Sequence, residues 1–76
     1  MLMKPTWDEL PIWNETLSRR IGTLLSGDVC LNLGEVKYDL PLPTRRRDTY
    51  VKVLHNGQIG WVNKQFIAEV TEPDAL

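Results

Sequence analysis

The 76-residue chain has one cysteine, one histidine, one phenylalanine and a net charge of only −1. With Cys30 alone there is no internal disulfide, and with a single histidine no metal-ligand cluster can be read. The near-neutral balance argues against wholesale binding to nucleic acid or an anionic membrane. No apolar run reaches the length of a membrane span or a signal peptide, and Asp8, Glu9 and Pro11 break the start. The expected location is therefore the cytoplasm of the producing cell. The glycines lack phosphate-loop spacing, and no internal repeat occurs.

What is present is concentrated near the end. Tyr50 to Val70 reads as two apolar runs joined by Asn56-Gly57, then a short polar step and a last apolar run. Asn-Gly is a strong hairpin signal, because a type I′ turn needs φ > 0 at both central residues. The hairpin is expected over Tyr50–Leu54 and Ile59–Asn63. Lys64-Gln65-Phe66 has the length of one 3₁₀ turn, and Ile67–Val70 is a last strand.

Upstream, Met1 to Glu9 reads as an irregular arm holding Pro5 and Trp7. Leu10–Trp13 reads as an edge strand, since Pro11 lacks a ladder donor. That proline also interrupts a helix that Trp7, Leu10, Trp13 and Leu17 would otherwise suggest. Asn14–Ser18 is a polar loop, Arg20–Leu24 a second strand and Ser26-Gly27-Asp28 a turn. From Val29 the pattern alternates, with Val29, Leu31 and Leu33 on one face and Cys30 and Asn32 on the other. Val36 to Asp48, with two prolines and Arg45-Arg46-Arg47, reads as an exposed connection. Thr71–Leu76 is a loose acidic tail. The sum is an all-β domain over residues 10–70, a small barrel of five to six short strands that removes its edges by closing.

Leu10 to Val70 resembles the bacterial SH3-like domain family. The resemblance is carried by Leu10-Pro11-Ile12-Trp13 with its polar loop, and by Ile21-Gly22-Thr23-Leu24 leading through Gly27-Asp28 into Val29. Tyr50, Asn56-Gly57, Gly60-Trp61-Val62 and Phe66-Ile67 complete it. It implies an SH3-like barrel with a groove lined by aromatic rings that takes extended or proline-rich chains. It also implies peptidoglycan as an alternative ligand, since many members bind cell-wall peptides beside a lytic enzyme.

No catalytic set is legible. His55 sits at a hairpin tip with no patterned acid or nucleophile partner, and Cys30 in an apolar strand reads as a packing residue. No cofactor is expected. The candidate contact residues are Trp13, Tyr38, Tyr50 and Trp61, with Pro41, Pro43, Arg45, Arg46 and Arg47 from the connection. Trp13 and Trp61 serve either a groove or the core. Tyr50, out of phase with Val51 and Val53, should be the more exposed. Residues 19–64 hold eight basic against four acidic side chains, between acidic ends. Arginines near exposed aromatics also fit single-stranded nucleic acid as a second alternative. The expected function is a stand-alone, non-enzymatic interaction module, an adaptor or inhibitor, with a protein as partner.

Overall fold

A computed structural model describes residues 1–39 and 48–70. Leu40 to Arg47, which include Pro41, Pro43, Arg45, Arg46 and Arg47, lie outside the described residues, as does the tail from Thr71. The described chain forms seven strands: β1 (Leu2–Pro5), β2 (Glu9–Trp13), β3 (Arg20–Leu25), β4 (Cys30–Asp39), β5 (Asp48–His55), β6 (Gln58–Asn63) and β7 (Ile67–Glu69). One 3₁₀ turn, Lys64–Phe66, precedes the last strand as expected. Its first free donor, the Gln65 N–H, is taken by Asn63 Oδ1 at 2.9 Å.

All pairings are antiparallel, in the order β3-β2-β6-β5-β4-β1-β7. The sheet curls into a half-barrel. Closure was the expectation, but β3 and β7 end the sheet unpaired with one another. Both ends are blunted, as open edges usually are. On β3, Asp28 takes the Leu25 N–H, Gln58 donates to the Ile21 carbonyl, and Arg20 donates to the Gly22 carbonyl. At the other end β7 has three residues.

Three further expectations are corrected. The arm is a strand: Met3 and Pro5 alternate inward from Leu2 and Lys4, and β1 pairs with both β4 and β7. β2 is interior rather than an edge. It meets β6 at the single position Trp13 opposite Trp61, so little of its second side needs the donor that Pro11 lacks. The exposed connection is shorter than Val36–Asp48, because Val36–Asp39 continues β4 against β5.

The inner face is set by which residues oppose one another. Val51 and Val53 on β5 face Val62 and Gly60 on β6, and all four are buried. Ile12 and Leu24 complete the centre of this core. On β4 the alternation has the expected period but the opposite phase. Cys30 lies against Met3 inside, whereas Leu31 and Val29 are exposed. Burial pushes the Cys30 thiol up, which keeps it a neutral packing group. Further along β4, Leu33, Gly34 and Glu35 oppose the single residue Lys52. This bulge adds two residues, an even number, so the alternation resumes with Lys37 outward.

The hairpin turn is as expected, with Asn56 at φ 49° and Gly57 at φ 76°. A Cβ at Gly57 would meet nothing within 4 Å, so only the backbone opposes a side chain there. Gly57→Ala is accordingly expected to cost about 1 kcal/mol in urea denaturation. An unchanged midpoint would show that the turn tolerates a Cβ in this conformation.

Candidate functional site

Counting back from a two-residue turn places Lys52 opposite Trp61 and Tyr50 opposite Asn63. These residues are out of phase with Val51, Val53 and Val62, so they stand on the outer face of the sheet. Trp13 joins them opposite Trp61, and Lys37 joins them opposite Tyr50. Three sequence-predicted residues, Trp13, Tyr50 and Trp61, therefore share one face. Trp13 and Tyr50 are half-buried there, and Tyr50 is indeed more exposed than Val51 and Val53. Tyr38, opposite Thr49, has the phase of the inner face. It lies beyond the core at the far end of β4 and is 59% exposed.

Trp61 is buried, as the core reading expects, and is not the wall of an open groove. The ring is only 2% exposed, yet it stands outside the hydrophobic core cluster. Its cover is polar. The Lys37 ammonium sits 4.4 Å from the ring centroid and the Lys52 ammonium 6.0 Å away. The indole N–H donates to Glu15 Oε2 at 2.9 Å. Lys37 in turn donates to the Glu15 carbonyl and lies 3.5 Å from Glu15 Oε1. Lys52 is held at 3.0 Å by Glu35, which the β4 bulge delivers above it. The two ammonium groups thus face the aromatic ring with their charges partnered by Glu15 and Glu35, a favourable setting for cations beside an indole.

The loop that carries Glu15 is built around Asn14. Its side-chain oxygen accepts from the Ser18 N–H at 2.9 Å and the Arg19 N–H at 3.2 Å, while its backbone N–H donates to the Arg19 carbonyl. Leu17 takes the left-handed conformation at φ 59° to close the turn. The indole hydrogen bond first, and then the Lys37 charge, hold the Glu15 carboxyl below its usual range. The Glu35 hydrogen bond likewise raises the Lys52 ammonium.

Beside this cluster lies an apolar row. Leu2 opposes Leu31, Leu31 opposes Leu54, and Leu54 opposes Ile59. The row crosses β1, β4, β5 and β6 on the outer face, about 14 Å at ordinary strand spacing. Leu2 is 51%, Leu31 37% and Ile59 54% exposed. Glu15, Lys37, Lys52, Glu35 and the aliphatic row were all missed by the sequence reading. The Asn-Gly register was the signal for Lys52 and Ile59; nothing local announces Glu15.

Elsewhere, His55 Nε2 stands 3.7 Å from Asp28 Oδ2. Among the described residues no group of three His, Cys, Asp or Glu side chains could hold a metal ion. No described helix is long and apolar enough to cross a membrane. No family model, curated protein or solved structure matches this chain.

Proposed function

We propose that this chain is a non-enzymatic protein-interaction module with an SH3-like fold, which docks a protein partner on the outer face of its sheet. The curled antiparallel sheet, the Asn-Gly hairpin and the 3₁₀ turn before the last strand support the fold. The aliphatic row carries the function. Four apolar side chains in register on a solvent face contribute nothing to the core behind them, and contiguous exposed apolar surface is characteristic of interaction sites. Trp13 and Tyr50, half-buried on the same face, extend the surface with aromatic area and polar tips suited to an interface. The cell-wall alternative gains no such support, since an open aromatic groove would need Trp61, which is covered.

The test is capture of a partner from producer-cell lysate by the wild-type chain and by an Ile59→Lys, Leu31→Lys double variant. The variant should keep the wild-type circular dichroism spectrum, since exposed substitutions usually move stability by no more than about 0.5 kcal/mol each. It should also lose the stoichiometric partner. A folded variant that captures the same protein as wild type removes the outer face from the interface.

A further inference from the structure

Two tryptophans of this chain stand in opposite states. At Trp61 the indole has a cation over its ring, and that cation is paired with a carboxylate. Trp7 has the ring and neighbouring carboxylates, but among the described residues no cation stands over it. Its side chain is 59% exposed on the bend between β1 and β2.

The exposure is not looseness. Phe66 packs against the Trp7 ring with centroids 4.8 Å apart and planes at 63°. The bend is tied at both ends, by the Thr6 N–H to the Phe66 carbonyl at 2.8 Å and by the Ser26 N–H to the Asp8 carbonyl at 2.9 Å. A large ring already held in place loses little further freedom when a partner docks. Asp8 and Glu9 follow directly, and both line the same open hollow as Thr6 and Trp7. Neither is in an ion pair among the described residues.

We infer that the Trp7 bend is a docking point for a basic segment of a protein partner. A lysine or arginine side chain lies against the indole, and Asp8 and Glu9 balance its charge. The attraction of a cation to an indole face and to adjacent carboxylates points the same way. The two carboxylates equally repel phosphate-bearing ligands, which separates this surface from a nucleic-acid or lipid-headgroup site. The bend shares no residue with the outer-face row, so each surface can fail without the other.

The probe is a hexalysine peptide, titrated at low ionic strength into the full isotope-labelled chain. The three tryptophans give three indole N–H signals, and Trp7→Phe identifies the one from Trp7. On titration the Trp7 signal should shift while those of Trp13 and Trp61 stay. An Asp8→Asn, Glu9→Gln variant, which leaves the ring and its Phe66 contact in place, should weaken binding about fivefold or more. A Glu69→Gln, Glu72→Gln variant removes the same charge from the acidic end and should bind as wild type does. An unmoved Trp7 signal would overturn the inference. Equal weakening in the two double variants would also do so, because that is diffuse attraction to an acidic chain.

Discussion

Gly60→Ala should lower the stability of the domain by about 3 kcal/mol, the upper part of the usual range for overpacking a core. A Cβ at this position would stand 2.3 Å from Ile12 Cγ2, 3.0 Å from the Trp13 carbonyl oxygen and 3.3 Å from Ile21 Cδ1. The two nearest of these neighbours cannot yield easily. Ile12 is fully buried and β-branched, so its χ1 is stiff. The Trp13 backbone is fixed where β2 meets β6. For a chain this short, total stability is on the order of 4–11 kcal/mol, so a loss of this size takes a large share. Gly22→Ala is the control. Its Cβ would meet Gln58 Oε1 at 2.7 Å, but that is the end of a flexible, exposed side chain which can swing away. The control should cost less than about 1 kcal/mol, mainly the bond from Gln58 to the Ile21 carbonyl. Urea denaturation of the two variants decides the matter, and equal midpoints would refute the close approach of β2 to β6.

The same glycine shows how far the sequence could be read. Asn56-Gly57 announced the hairpin and, through its two-residue length, the whole register of β5 against β6. With Val51 and Val53 inward, that register already requires Gly60 and Val62 inward and Trp61 outward. The outer position of Trp61 was thus legible, although its near-complete burial was not. Burial there depends on Glu15, which is 46 residues away, and on a two-residue bulge that no local pattern in β4 announces. The phase error in β4 has a related cause. Alternation gives a period but not a direction, and Cys30 is small and apolar enough to take the inner side, where its register partner Met3 and the rest of the core cluster lie. The first strand was hidden for a different reason. Leu2–Pro5 is short and contains a proline, and only its two neighbours in the folded sheet make it a strand. The resemblance to the bacterial SH3-like domains begins at Leu10 and says nothing of it.

Trp61→Ala should cost about 3 kcal/mol, near the low end for removing a buried aromatic, because the ring lies outside the hydrophobic core cluster, with two lysine ammoniums beside it. Trp61→Phe separates the two roles of the indole. It keeps an aromatic face under the Lys37 ammonium, but it removes the N–H that Glu15 accepts. The difference should appear in the pH dependence. The folded-state pKa of Glu15 lies below its unfolded value, chiefly through that N–H and then through Lys37. The stabilisation linked to it is therefore complete above the ordinary carboxylate range and is lost as the pH falls through the lowered value. Thermal unfolding followed from about pH 6 down to about pH 3, which brackets that range, should show wild type losing stability on acidification. The loss should be smaller in Trp61→Phe and smaller again in Glu15→Gln, which has no carboxylate at that position to titrate. If Glu15→Gln keeps the full acid dependence of wild type, other carboxylates govern it and the Glu15 loop is not fastened through its charge. If Trp61→Ala is as stable as wild type, the ring is an ornament of the outer face. A large loss makes it the pin that holds the Asn14–Arg19 loop to the sheet, beside the face on which a partner would dock.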